Sequence, residues 1–460
     1  MRRLALPVLS LVLISCAMGP DYTRPGVSTP ESFRMAGKEG ESIANLPWWT
    51  LLRDEELQKL VRIALKENKD LMAAVASVEE FQARLFIARM DFAPQARATA
   101  NAPSLGRQTI VNIPGFPTTS SYYVQGNLSW ELDFWGRVRR ENEAARADLF
   151  AREENRRAVV LQLVSSVAQS YFDLRQLDMQ LDIAKRTLKS WEESVRLAQA
   201  RLRQGLTNKL DADQFEAERA NAAARTAELE RLMVQKENEL SVLLGRNSSQ
   251  IPRGRSLTEQ VMPPEVPAGL PSELLQRRPD VLQSEQQLAA ATARIGVAKA
   301  ERFPKITLTG LLGVASPHLS SLRTAFGNAN LELAGPLFNA QILGFQQQAA
   351  EAQARQAVAQ YEQTILVAFR EVEDALVAVR KTRDQTLAQE EQVTALRSAS
   401  HLADLRYKGG LANYLDVLTA QRSLFDAELS LTATRRLHLV SIVQLYKALG
   451  GGWTSGASMQ

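Results

Sequence analysis

The sequence predicts an internally duplicated α+β membrane protein in which two strands and one long helical hairpin occur twice. Three observations carry that expectation: internal matches at nearly constant offsets, two long runs free of Gly and Pro, and alternating segments ahead of each run.

The chain opens with Arg2-Arg3 and the short apolar run Leu4–Ile14, which reads as a targeting signal over 1–15. Eleven residues are too few to cross a bilayer. The run ends Leu13-Ile14-Ser15-Cys16, similar to a bacterial lipobox, in which the cysteine is acylated and becomes the mature N-terminus. Cys16 is also the only cysteine. Acyl chains supply about 0.8 kcal/mol per buried CH₂, enough to hold a protein at a membrane without a spanning helix. Ala17, rather than Asp, follows the cysteine, which by resemblance to such lipoproteins favours the outer membrane. Residues 16–54 are then a lipidated N-terminal segment. No other window holds 18 consecutive apolar residues, so no helical span is expected.

The duplication comes next. Asp70-Leu71, Ala83-Arg84 and Pro94 align without gaps on Asp280-Val281, Ala293-Arg294 and Pro304, an offset of 210. Gly205-Leu206-Thr207-Asn208-Lys209-Leu210-Asp211 aligns on Gly410-Leu411-Ala412-Asn413-Tyr414-Leu415-Asp416 at offset 205, which Gly245 and Gly450 keep. These matches divide the chain into copies over 55–250 and 270–452, a linker over 251–269 and a tail over 453–460.

Between Gly136 and Gly205 lie 68 residues without Gly or Pro, and between Gly344 and Gly409 lie 64. At 1.5 Å per residue either run makes a helix of about 100 Å. In the first, Val160, Val164, Val167, Tyr171, Leu174, Leu177, Leu181, Ala184, Leu188, Trp191, Val195, Ala198 and Leu202 recur at steps of 3 and 4. That spacing is a coiled-coil seam. Ile365, Phe369, Val372, Leu376 and Val379 repeat it in the second copy. A glycine turn and a further Gly- and Pro-free stretch of 39 residues follow each run. Each copy thus closes in a long hairpin with its tip near Leu206–Asp211 or Leu411–Asp416.

Ahead of the hairpins the period changes to two. Tyr122, Val124, Leu128, Trp130 and Leu132 alternate with polar residues, as do Ile306, Leu308, Leu312 and Val314. Weaker alternation at 95–102 and 329–333 completes two strands per copy, four in all. Strands with one apolar and one polar face suit a membrane barrel, whose backbone groups must be paired within a closed sheet. Four strands cannot close alone, so the chain is expected to oligomerise. Pro103–Ser121 and Ala315–Ala325 would be the loops between strands.

Composition narrows the function. A net charge of +4, from 55 basic and 51 acidic residues well mixed along the chain, gives no reason to expect nucleic acid. One cysteine and three separated histidines (His318, His401, His438) predict no metal site. There is no P-loop, dinucleotide fingerprint or nucleophile elbow, so no catalytic residue is expected and the chain is predicted not to be an enzyme. Beyond a covalent lipid on Cys16, no cofactor is expected.

The chain resembles the outer-membrane efflux proteins, TolC-like channels, in the lipidated outer-membrane factor branch that serves multidrug pumps of the RND type. The residues that carry the resemblance begin with Cys16-Ala17-Met18-Gly19-Pro20-Asp21-Tyr22-Thr23-Arg24-Pro25 and Trp48-Trp49. They continue with Asp54, Leu57, Leu60, Asn68, Asp70-Leu71, Ser129-Trp130-Glu131-Leu132-Asp133, Gly136-Arg137 and Arg277-Arg278-Pro279-Asp280-Val281. Arg406-Tyr407-Lys408-Gly409-Gly410, Asn413-Tyr414-Leu415-Asp416-Val417-Leu418 and Ala420-Gln421-Arg422 complete them.

The resemblance implies a homotrimer with a 12-stranded outer-membrane β-barrel, four strands per chain, continued by a long periplasmic α-helical barrel. It implies three partners: a periplasmic adaptor protein docking at the hairpin tips, an inner-membrane RND-type pump that supplies the energy, and outer-membrane lipid. The chain itself would be a passive duct. A family gate at the second tip maps onto Tyr407, Leu415 and Arg422, with Asp416 beside the leucine. Related gates often carry a carboxylate where this chain has Thr419, so the acidic ring falls to Asp416 or to Asp211 and Asp213. Asp211 and Asp416 also suit plain helix N-terminal positions, and Tyr407 and Arg422 suit hairpin packing and an ion pair. Adaptor docking maps onto Gly205, Leu206, Asp211, Gly409, Gly410 and Leu411, where small residues would allow close approach. The alternatives are an exit duct for polypeptides of the type I secretion kind, and a non-transporting lipid-anchored coiled-coil scaffold.

Overall fold

A computed structural model describes residues 17–30, 32–33, 53–101, 122–260, 271–316, 319–322, 324–336, 338 and 340–451. Cys16, Trp48, Trp49 and the Pro103–Ser121 loop lie outside these residues. In chain order the elements are α1 (Glu55–Glu67), α2 (Lys69–Met90), β1 (Gln95–Asn101), β2 (Tyr122–Leu132), α3 (Arg137–Arg203) and α4 (Lys209–Leu243). Then come α5 (Pro271–Arg277), α6 (Pro279–Ala300), β3 (Lys305–Ser316), β4 (Thr324–Ala334), α7 (Ala340–Lys408) and α8 (Tyr414–Ala448). No described helix is long and apolar enough to cross a membrane.

Two boundaries differ from expectation. The loop placed at Ala315–Ala325 is shorter: β3 runs to Ser316, a 3₁₀ turn occupies Leu319–Ser321, and β4 starts at Thr324. Pairing with β2, Tyr122↔Ser316 and Tyr123↔Ala315, carries β3 to its end. The long helix of the second copy also begins ahead of Gly344. One glycine costs about 1 kcal/mol in a helix, too little to stop one of 69 residues.

The chain forms two compact units, each drawing segments from both halves. The first holds 76–153, 283–363 and the N-terminal strap. Its sheet has the order β1-β2-β3-β4, antiparallel throughout. Directly paired residues share a face, so the register sorts the side chains. The rows Ala96–Leu128–Gly310–Ala329, Ala98–Gly126–Leu312–Gly327 and Ala100–Val124–Val314–Ala325 fall on one face, joined by Trp130–Leu308–Leu331 and Leu132–Ile306–Leu333. Gln95–Ser129–Thr309–Asn330, Arg97–Asn127–Leu311–Asn328 and Thr99–Gln125–Gly313–Phe326 fall on the other. One face is therefore apolar across all four strands and the other largely polar, with Asn127 donating to Thr99.

At the end of the sheet where the helices begin, aromatic residues gather. Trp130 Nε1 donates to the Phe92 carbonyl (3.0 Å), Trp135 Nε1 donates to that of Pro304 (2.8 Å), and Trp135 stacks on Phe303. The strap docks beside them: Met18 N–H bonds to Trp135 O, and Arg140 reaches Met18 O and Asp21. Tyr22 and Arg24 both bind Glu285. Gly296 makes this fit possible, because a Cβ there would stand 2.5 Å from Met18 O.

The second unit holds the hairpins α3/α4 and α7/α8. Ten of the thirteen seam positions read from the first run are buried, and Leu177, Leu188 and Leu202 pack partly buried against them. Ile365, Val372 and Leu376 are buried in the second, where Phe369 and Val379 pack against them. Two residues join helices end to end. Asn68 caps α2 at Leu71 N and donates to Leu243 O at the end of α4, while Arg278 donates to Ala448 O at the end of α8. The buried Arg278 is neutralised by Asp280 and Glu371. These contacts account for Asn68 and the Arg-Pro-Asp motif, and they place the C-terminal carbonyls of α4 and α8 against donors at the starts of α2 and α6.

Candidate functional site at the hairpin tips

Both tips are built by the same local rule. Gly205 N–H bonds to Leu202 O and Leu206 N–H to Arg201 O; at the second tip Gly410 N–H bonds to Tyr407 O and Leu411 N–H to Arg406 O. This pair of bonds is the Schellman helix stop, which puts its glycine in the left-handed region. Gly205 and Gly410 have φ of 69° and 73°. Three residues on, Asn208 and Asn413 cap α4 and α8, their side-chain oxygens accepting from Asp211 N–H (2.9 Å) and Asp416 N–H (3.0 Å). Asp211 and Asp416 thus stand in first turns, where the helix dipole favours a carboxylate.

The carboxylates differ. Thr207 Oγ1 donates to Asp211 Oδ2 at 2.6 Å, and Lys209 pairs with Asp213 at 2.8 Å, which raises the lysine pKa. Ala412 replaces Thr207 at the second tip, and no described residue bonds the exposed Asp416 carboxylate. Among the three acids considered for a ring, Asp211 and Asp213 are locally engaged and Asp416 is free.

The four gate positions fall in two groups. Leu415 is 53% exposed and Asp416 stands exposed beside it. Tyr407 is only 7% exposed, inside a cluster with Trp191, Val195, Ala198, Phe215, Val417 and Leu418. Its ring lies 6.1 Å from Phe215, and its buried hydroxyl has no hydrogen-bond partner among the described residues. Arg422 reaches across to Glu218 of α4 at 2.9 Å. Tyr407 and Arg422 therefore pack and pair the hairpins, while Leu415 and Asp416 present themselves outward.

Of the docking positions, Gly205, Leu206, Gly409, Gly410 and Leu411 are exposed and Asp211 is half-buried. The accessible feature is apolar rather than small. Leu206, Leu210, Leu411 and Leu415, equivalent in pairs, are all more than half exposed. Sequence reading missed Arg201, Glu218 and Phe215. Arg201 carried a signal, since it matches Arg406 at offset 205; Glu218 and Phe215 carried none, because their contacts cross between hairpins.

The family model for outer membrane efflux proteins matches residues 60–246 and 270–451, and the chain belongs to that family. It is 35% identical over 458 residues to the cation efflux system protein CusC of Escherichia coli O6:H1, covering 97% of each chain. It is 34% identical over 462 residues to the toluene efflux pump outer membrane protein TtgC of Pseudomonas putida, covering 98% of this chain and 95% of TtgC. The crystal structure of the open state of the Neisseria gonorrhoeae MtrE outer membrane channel superposes with a TM-score of 0.84 at 33% identity, covering 95% of this chain and 98% of that one.

Proposed function

We propose that this outer-membrane efflux protein is the passive exit duct of a tripartite system. Three copies close a 12-stranded barrel in the outer membrane, and their hairpins form the periplasmic conduit. One observation carries the reading: a four-stranded sheet, apolar on one face and polar on the other, whose edges β1 and β4 have no partner strand among the described residues. In lipid, unpaired edges are too costly, so copies join edge to edge with the polar face inward. Exposed Phe86, Ile87, Met90, Ile342 and Phe345 supply apolar surface for neighbouring copies.

Lipid on Cys16 anchors the assembly. Support comes from its neighbour Ala17, which packs so closely on Gly136 that a Cβ there would collide. That contact lies beside Trp135, within the aromatic group that suits a membrane interface. A periplasmic adaptor docks at the tips around Gly205, Leu206, Asp211, Gly409, Gly410 and Leu411, and an inner-membrane RND-type pump drives transport. CusC and TtgC belong to cation and toluene efflux systems, and the substrates of this chain are small molecules chosen by the pump. The duct has no chemistry of its own.

Leu415 and Asp416 form the seal, three copies of each narrowing the conduit by an apolar and an acidic ring, with Tyr407 and Arg422 holding their backbone. Single-channel conductance in a planar bilayer tests this. Wild type is expected to be small and mostly closed, and Leu415→Ala with Asp416→Ala to conduct severalfold more. Equal conductance would move the gate elsewhere; no conductance from either would remove the duct.

A further inference from the structure

One residue of the first hairpin grips the end of the second. Arg201, in the last turn of α3, donates from a single guanidinium nitrogen to the carbonyls of Tyr407 (3.2 Å) and Lys408 (3.3 Å). Its Cζ also stands 4.5 Å from the centre of the Tyr407 ring. Those carbonyls end α7, where the helix dipole is negative; Tyr407 O already accepts from Gly410 N–H, so Arg201 adds charge and a second donor there. A planar cation meets both needs at once, which an ammonium does less well. The tyrosine hydroxyl has no hydrogen-bond partner among the described residues, so Arg201 meets the ring and the backbone. The ion pair between the tips, Arg422 to Glu218, has its arginine side chain 58% exposed and is weakened by solvent. Arg406, the counterpart of Arg201 at offset 205, is itself exposed.

We propose that Arg201 is a positioning residue for the gate. It fixes the end of α7 and, through Tyr407 and the Gly409-Gly410 turn, sets where Leu415 and Asp416 stand. The inference rests on reading Leu415 and Asp416 as the seal. Release of the second tip then requires these contacts to break first.

The test uses the full-length protein in planar bilayers, with its thermal unfolding midpoint measured alongside. Arg201→Ala is expected to raise conductance severalfold with the midpoint little changed, and Arg201→Lys to fall between it and wild type. Arg406→Ala should leave conductance as it was, because this counterpart of Arg201 at offset 205 has an exposed side chain. If Leu415→Ala with Asp416→Ala opens the channel and Arg201→Ala does not, Arg201 does not position the gate and the seal survives. Opening by Arg201→Ala alone would support the grip and refute the assigned seal. Should Arg406→Ala open the channel as far as Arg201→Ala, loss of any tip arginine suffices and the specific grip by Arg201 is refuted. Where Arg201→Ala fails to assemble, Arg201→Lys against Arg406→Lys decides: wild-type conductance from Arg201→Lys overturns the proposal.

Discussion

At the first tip Thr207 donates to Asp211 and Lys209 pairs with Asp213; at the second, the residues 205 positions on are Ala412, Asp416, Tyr414 and Leu418. The backbones match to the level of individual bonds, with the same helix stop, the same asparagine cap and following helices of 35 residues each. Side chains alone engage both acids of one tip and leave the other with a carboxylate that no described residue bonds. The same division recurs farther along. Leu177 and Met233 pack against one apolar cluster in the first hairpin, while Thr382 and His438 face each other in the second, Oγ1 to Nδ1 at 2.9 Å. A duplicated frame thus lets the first copy tie up its own acids while the second keeps one acid with no partner among the described residues and a buried histidine.

The largest expected effect tests whether the first tip supports the second. Phe215 of α4 is fully buried and touches Trp191, Tyr407 and Tyr414. Phe215→Ala should cost about 3–5 kcal/mol locally, and hydrogen exchange at the ends of both α4 and α8 should accelerate. Acceleration confined to α4 would break the idea that the first tip supports the second.

Next in size is a mirrored pair. Leu210→Ala with Asp211→Ala occupies the positions of Leu415 and Asp416 in the other copy, and it should leave single-channel conductance near wild type. A severalfold rise would make the tips equivalent and the asymmetry irrelevant to sealing. A subtler change moves the hydroxyl: Ala412→Thr should give Asp416 the partner that Asp211 has. Cation preference, read from the reversal potential across a salt gradient, should weaken, and Thr207→Ala should change it less.

The smallest effect concerns pH. Burial holds His438 below the ordinary imidazole pKa, and the nearby Arg383 adds to the shift. Arg380, Lys381 and Arg383 flank Thr382 on α7, and Arg435 and Arg436 precede His438 on α8. Because the unfolded chain takes up this proton at higher pH than the folded one, the contribution is neutral above the ordinary value and turns unfavourable as pH falls through it. Replacing His438 with Gln, which keeps a donor for Thr382, should lessen the fall in thermal midpoint between about pH 7 and pH 5. An unchanged slope would show that carboxylates alone set the acid response.

Long elements were legible in the sequence because their signals are local and repeated. Val160 to Leu202 announce a buried seam by spacing alone, Tyr122 to Leu132 announce a two-faced strand, and Gly205 and Gly410 announce the turns. The caps at Asn208 and Asn413 lay within the matched segment, and the free second acid could be suspected once Thr207 was set against Ala412. Strand ends were less legible, since β3 owes its last residues to pairing with Tyr122 and Tyr123.

Composition, period and duplication by themselves determined the class of fold, the number of strands and hairpins, and the place of the tips, because each follows from neighbours along the chain. Only the tertiary structure decided which side chains meet across it. Arg201 on Tyr407, Glu218 on Arg422, Asn68 on Leu243 and the strap at Gly296 each join residues more than a hundred positions apart. No local pattern encodes such contacts, since they depend on how helices are set side by side, and they hold the tip in the place where its leucine and acid can act.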